Sequence, residues 1–219
     1  MDMHNIMIKL LVNALPFIFA ITLHEAAHGY VARRFGDSTA YMLGRVTLNP
    51  AKHIDLIGTI LIPAALIIAG ASFLFGWAKP VPVNFNNLRS PKRDSLWVAF
   101  AGPGANIIQV FIWAIVARIL VEVAPMEGLV APFWLAVCEA GIMWNIMFAL
   151  INLLPILPLD GGRILASLLP DKASYAFSRT EPYGFFVVMA LALTGVLSLV
   201  LGPPFLALMR GTYSLFGFQ

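Results

Sequence analysis

The sequence predicts an all-α polytopic membrane protein, a bundle of about five to six membrane segments, since each span takes about 20 apolar residues. Composition carries the first part of that expectation. Of 219 residues, 60% are hydrophobic and only 11% charged, and the mean hydropathy is +0.85. A soluble globular domain carries about 25% charged residues, so a chain with less than half that level cannot present an adequate water-facing surface. Spans of this number use most of the length, and residues 1–219 are expected to form a single integral-membrane domain. The net charge of +3 is not a nucleic-acid signal in such a chain, because surplus Lys and Arg gather in cytoplasmic loops and set orientation.

The segments follow in order. An apolar run over residues 6–23 continues helically through His24 to about Phe35. Lys9 ahead of this run imitates a signal peptide, but no small-x-small cleavage site follows, so the segment reads as a retained helix. Further apolar runs cover 57–75, 96–121, 129–157 and 185–201, and a shorter stretch, 204–218, is interrupted by Arg210. Between the second and third runs, Trp77-Ala-Lys-Pro-Val-Pro-Val alternates apolar and turn residues. Pro80 and Pro82 break a helix there, so a small extended or hairpin element is expected near residues 77–84. The one cysteine, Cys138, excludes an intrachain disulfide and reads as a small buried hydrophobe.

Charge sets the topology. Arg33, Arg34, Arg45 and Lys52 follow the first helix, which directs its C-terminal end to the cytoplasm. Lys79, Arg89, Lys92 and Arg93 precede the third segment and belong inside by the same rule. The run 57–75 then enters and leaves on one side as a re-entrant element, or it spans the membrane and leaves one basic loop outside. Re-entrant backbone is tolerated only against protein or a water-filled cavity.

His24-Glu25-Ala26-Ala27-His28 fits the pattern H-E-x-x-H late in an apolar helix. Residues four apart share a helix face, so both imidazoles reach one ion while Glu25 points beside it. Zinc suits this set: it accepts imidazole nitrogen and carboxylate oxygen, and three protein ligands leave a fourth position for water. The pKa of that water drops to about 7, within reach of an adjacent carboxylate base. Ionisable groups in a membrane helix cost about 2.5–3.5 kcal/mol each and mark functional sites. The competing reading ends the helix before His24 and leaves these side chains at the interface.

A third ligand must come from elsewhere. His4 sits at the N-terminus, and His53 precedes the second segment, where it reads as an interfacial histidine or a ligand. Asp160 ends the run Asn152-Leu-Leu-Pro-Ile-Leu-Pro-Leu-Asp160-Gly-Gly. Pro155 and Pro158 unwind the helix there and Gly161-Gly162 permit a tight turn. Such a carboxylate fits an ion site and equally a helix-ending turn at the cytoplasmic face.

Together, His24-Glu25-Ala-Ala-His28 and Asn152-Leu-Leu-Pro-Ile-Leu-Pro-Leu-Asp160-Gly-Gly resemble the site-2 protease family of intramembrane zinc metalloproteases. Gly102-Pro-Gly-Ala-Asn106 is similar to that family's middle motif, and the three occur in the family's order over about residues 10–170. The resemblance implies a Zn2+ site of His24, His28 and Asp160 with Glu25 as general base. It also implies that Asn152 and Asn106 face the active-site cavity and bind substrate, whereas from the residues alone both read as helix-packing amides. It further implies a site within the cell membrane near its cytoplasmic face, and a compact branch without a PDZ or nucleotide-sensing domain. The expected partners are the lipid bilayer and a membrane-protein substrate with a transmembrane segment.

The expected reaction is hydrolysis of a peptide bond within or at the edge of that segment. The substrate must unwind locally, and the 77–84 element offers an edge with which an unwound strand can pair. The rival from another class is a non-enzymatic membrane metal binder or carrier, since histidine and carboxylate groups in spans also build ion pathways.

Overall fold

A computed structural model describes residues 3–62, 65, 79–124 and 128–218. Helix α1 runs Met3–Arg34 with Pro16 inside it, and a short helix α2, Thr39–Met42, follows. The 3-10 turn Pro50–Lys52 is capped by Asn49, whose side chain accepts the Ala51 N–H. Asp55 likewise caps a π-helical turn, Leu56–Leu61. Beyond it come α3 (Pro91–Val123), α4 (Val130–Asn152), α5 (Asp160–Leu168), α6 (Asp171–Ser178), α7 (Glu181–Leu193) and α8 (Val196–Phe216). Among the described residues there is no strand, and four helices, α1, α3, α4 and α8, are long and apolar enough to cross a membrane.

The site rests on α1, α3, α4 and α5. Helix α3 packs against α1, α4 and α5, and α1 also packs against α4. These contacts are built from small residues: Ala20 and Ala32 of α1, Ala99 and Ala114 of α3, and Ala140 and Ala149 of α4 are all buried. Small side chains let helix backbones approach where lipid offers no hydrophobic drive for association. At Gly141 the approach of α3 is close, since a Cβ there would lie 2.5 Å from Trp113 Cγ. Large apolar side chains point outwards instead, as Ile108, Ile112 and Ile119 of α3 do. A surface of this kind is stable against acyl chains and not against water. Cys138 is buried in α4, as its composition suggested.

Helix starts follow local chemistry. Pro91 occupies the first turn of α3, where a missing N–H costs nothing, and the Asp94 carboxylate accepts the Ser90 N–H at 2.7 Å. The run 129–157 divides at Asn152, because Pro155 and Pro158 cannot continue a helix. The chain then turns tightly through 153–159 and restarts as α5 at Asp160. Glycines make room for this turn: a Cβ on Gly184 of α7 would collide with the Leu157 carbonyl.

The C-terminal region divides differently from the apolar runs. The break falls at Gly195 (φ +77°), a left-handed conformation that favours glycine, and not between 201 and 204. Residues 204–218 therefore belong mostly to α8, with Pro203 and Pro204 inside that helix, while α7 is a shorter apolar helix. Most of the run 57–75 lies outside the described residues, as do residues 77 and 78. Of the expected extended element, 79–84 is described and is backbone without helix or ladder. The chain on either side of the undescribed stretch is joined: the Lys79 N–H donates to the His53 carbonyl at 2.9 Å.

Replacing Gly141 with Ala should push α3 from α4 and cost about 1–3 kcal/mol, the usual scale of overpacking. Thermal unfolding in detergent reads this as a lowered melting temperature, and an unchanged midpoint would show that the Trp113 ring can step aside.

Candidate metal centre

The late position of His24 and His28 on α1 turns both imidazoles towards α3 and α5. His24 Nε2 and His28 Nε2 lie 3.1 Å apart. Asp160 Oδ2 lies 3.2 Å from the first and 3.4 Å from the second. The three side chains are 9%, 12% and 12% exposed, and they form the one group of this kind found among the described residues. Asp160 reaches the site as the first residue of α5, delivered by the proline-broken turn after α4.

The second nitrogen of each ring decides what this triangle can hold. His28 Nδ1 lies 2.7 Å from the Val98 carbonyl oxygen, which can only accept. His24 Nδ1 lies 2.6 Å from Asn106 Oδ1. The orientation of that amide is fixed, because Asn106 Nδ2 donates to the Ala20 carbonyl at 3.1 Å and to Asn145 Oδ1 at 2.8 Å. Asn145 in turn donates to the Gly141 carbonyl at 2.8 Å. Both Nδ1 atoms are therefore donors, and in a neutral ring a donor Nδ1 leaves Nε2 as a bare lone pair.

Two such lone pairs and a carboxylate oxygen face one another, and Asp160 Oδ2 is buried with no hydrogen-bond partner. Without a cation this arrangement is repulsive. Zinc ligands at about 2.0–2.1 Å in a tetrahedron stand about 3.3 Å from one another. The observed edges of 3.1–3.4 Å match that figure, so the residues fit a zinc ion with one position left open.

The middle motif gains a physical reason. A Cβ on Gly102 would lie 2.6 Å from His24 Cε1 and Nε2 and closer still to His28 Nε2. Glycine there lets the α3 backbone press against the two rings. Asn106, one turn on, is fully buried and sets the His24 ring. The Asn152 side chain is partly buried and donates to the Phe148 carbonyl of its own helix at 3.0 Å. His53 is not part of the group: its Nε2 is bonded to the Thr47 carbonyl at 2.9 Å. Glu25 lies beside the ring pair, its Oε2 accepting the Val81 N–H at 2.7 Å.

Three contributors went unnoticed in the sequence. Asn145 had a signal, as an amide in the middle of a very apolar helix. The Val98 carbonyl had none, because every residue has one. Asp37 also lacked one, since it reads as a loop residue, yet it is fully buried and accepts from both the backbone and side chain of Thr39. It accepts from the Asn84 N–H and the Asn87 amide as well. Burial pushes the Asp37 carboxyl up, but these four donors together hold it below the usual carboxylate range.

Elemental analysis of detergent-purified protein should find about one zinc per wild-type chain and a marked loss in Asp160→Ala, since catalytic sites keep three protein ligands. Equal zinc in both proteins would remove Asp160 from the site. Gly102→Ala should lower zinc content by displacing the rings. Asn106→Ala should weaken zinc about 10–100-fold in chelator competition, the range for partners behind metal ligands.

Comparison with known proteins agrees with this chemistry. The sequence profile described as Peptidase family M50 matches residues 119–195, a stretch that includes Asn152 and Asp160. YwhC of Bacillus subtilis, named as a zinc metalloprotease, is 41% identical over 192 residues, 86% of this chain and 83% of its own length. Rip2 of Mycolicibacterium smegmatis, similarly named, is 28% identical over 83% of this chain and 66% of its own. Zinc metalloprotease MJ0392 of Methanocaldococcus jannaschii is 24% identical over 82% of this chain and 41% of its own. No solved structure matches the chain. With such a relative aligned over most of both lengths, the chain belongs to peptidase family M50, the site-2 proteases, and is a multi-pass zinc metalloprotease.

Proposed function

We propose that this metalloprotease cleaves a peptide bond within or beside a transmembrane segment of a membrane-protein substrate. In this reading His24, His28 and Asp160 hold zinc and Glu25 is the general base. The observation that carries it is the convergence of three lone-pair donors, 3.1–3.4 Å apart, two of them on a helix long and apolar enough to span a bilayer and the third, Asp160, opening α5.

Bound zinc supplies a Lewis acid that polarises the scissile carbonyl and lowers the pKa of water. The chain's own groups do the rest. Asn106 and the Val98 carbonyl keep both rings turned with Nε2 inward. Glu25, next to His24 in sequence, takes the proton of the attacking water and returns it to the leaving amine. Such proton transfers contribute about 10²–10⁴-fold to rate. A helical peptide bond is already hydrogen-bonded and hidden, so the substrate unwinds before it is cut. In this reading Asn152, which ends α4 and donates to the Phe148 carbonyl of its own helix, exchanges that bond for one to substrate.

Orientation supports a site near the cytoplasmic face of the cell membrane. His28 precedes Arg33 by five residues, about 7.5 Å along a helix, and Lys92 and Arg93 open α3 beside the same end. The Arg89 N–H donates to the Phe35 carbonyl at 3.0 Å, which joins these two basic ends.

Glu25→Gln should retain about one zinc while cleavage of a single-span substrate falls about 10²–10⁴-fold. Full cleavage by that variant would remove Glu25 as the base. Zinc-dependent metal flux through vesicles with no cleavage by wild type would favour a carrier instead.

A further inference from the structure

The segment 79–84 crosses α1 at Glu25, and three of its N–H groups and two of its carbonyls are held by Glu25 or by groups of the region between α1 and α3. Its first N–H, from Lys79, donates to the His53 carbonyl at 2.9 Å. Arg45 Nη2 donates to the Lys79 carbonyl at 2.9 Å and to the Pro80 carbonyl at 3.2 Å. At the far end, the Asn84 N–H donates to Asp37 Oδ2 at 2.8 Å and Asn87 Nδ2 to Asp37 Oδ1 at 3.2 Å. Between these anchors, the Val81 N–H donates to Glu25 Oε2 at 2.7 Å.

The local sequence suits this presentation. Pro80 and Pro82 have no N–H, so Val81 carries the only backbone donor between Lys79 and Val83. Proline fixes its own φ near −65° and confines the residue before it to extended backbone. The Val81 donor is therefore held on a stiff frame before Glu25 engages it. The side chain of Val81 is 8% exposed and sits on Gly29, one turn after Glu25, where a Cβ would lie 3.0 Å from Val81 Cγ1 and 2.8 Å from Val46 Cγ2. A glycine at that place on α1 lets the segment lie down against the helix.

We propose that Asp37 and Arg45 are positioning residues that clamp segment 79–84, so that the Val81 N–H holds one carboxylate oxygen of Glu25 and leaves the other for the proton of the attacking water. The inference rests on the reading of Glu25 as general base. A carboxylate has two oxygens and about four lone-pair sites, so one donor fixes its plane without consuming its capacity. Asp37 and Arg45 touch neither substrate nor metal ligands; they act through the segment they hold.

The test uses the zinc-loaded full chain and a single-span fluorescent reporter whose apolar helix carries a central Gly-Pro pair to ease unwinding. Val81→Pro removes the donor while keeping extended backbone. It should lower kcat at least about tenfold, within the range general-base catalysis contributes, with zinc content and KM unchanged. Arg45→Ala should lower kcat in the same direction and Arg45→Lys should restore most of it, because an ammonium can still reach a carbonyl. Wild-type kcat in Val81→Pro, or a rise in KM at constant kcat, would overturn the inference and assign the segment to substrate binding alone. Amide exchange at Val81 gives a readout independent of cleavage and of the Val81→Pro fold: it should be at least about tenfold slower in wild type than in Glu25→Ala. Equal exchange rates would overturn the inference while leaving the protease reading intact. A wild-type chain that holds zinc but leaves the reporter uncut would overturn both.

Discussion

The molecule is organised around a repulsion. His24 Nε2, His28 Nε2 and Asp160 Oδ2 sit 3.1–3.4 Å apart with lone pairs facing one another. Only a cation makes that triangle favourable, and the surrounding structure keeps it in place. The Val98 carbonyl and the Asn106 amide commit both Nδ1 atoms as donors. Gly102 removes the side chain that would keep α3 off the rings. The broken turn after α4 restarts the helix with Asp160 as its first residue. Each becomes intelligible as part of holding three electron-rich atoms at the spacing of a tetrahedral ion.

Membrane burial makes this organisation strict. A polar group in hydrocarbon has no water to fall back on, so the Asn106 and Asn145 amides behind the site need partners within the bundle. The chain from His24 through Asn106 and Asn145 to the Gly141 carbonyl meets that demand across three helices. It joins α1, α3 and α4 behind the His24 ring, where their alanines and glycines already bring them close. The same contacts that pack the bundle thus orient the ligand, and the outer faces are left to large aliphatic residues that suit lipid. Aromatic side chains of α8, such as Phe205 and Tyr213, complete the packing on the face of α3 and α4 around Val110 and Ile142.

A second polar framework lies at the end of α1 that carries Arg33 and Arg34. Asp37, buried with four donors, ties the chain after α1 to the turn before α3. Together with Arg45 and the His53 carbonyl it holds a proline-flanked strap across Glu25. The His24–His28–Asp160 triangle is thus set from the bundle side, while the neighbouring Glu25 carboxylate is met from the loop side. Ligand geometry and carboxylate orientation are set by separate structural devices.

Much of this was legible from residues alone. The scarcity of charge required a membrane, because too little polar surface exists for water. H-E-x-x-H placed His24 and His28 on one helix face, since a four-residue spacing does so in any α-helix. The prolines at 155 and 158, followed by Gly161-Gly162, marked where a helix breaks, for want of donors and with glycines ready for the turn. Those are local properties, dictated by a few neighbouring residues. Other features depend on what lies across a contact. The Gly195 break and the continuation of α8 through Pro203 and Pro204 did not follow from apolar runs, because hydropathy cannot tell one helix from two. That Asp160 meets His24 from 136 residues away, that Asn106 points its oxygen at His24 and its nitrogen at Asn145, and that Val81 turns its N–H to Glu25 were all decided by tertiary structure. Sequence determined which residues could serve as ligands and where helices could form. The fold alone decided which lone pairs converge, because that depends on the approach of helices distant in the chain.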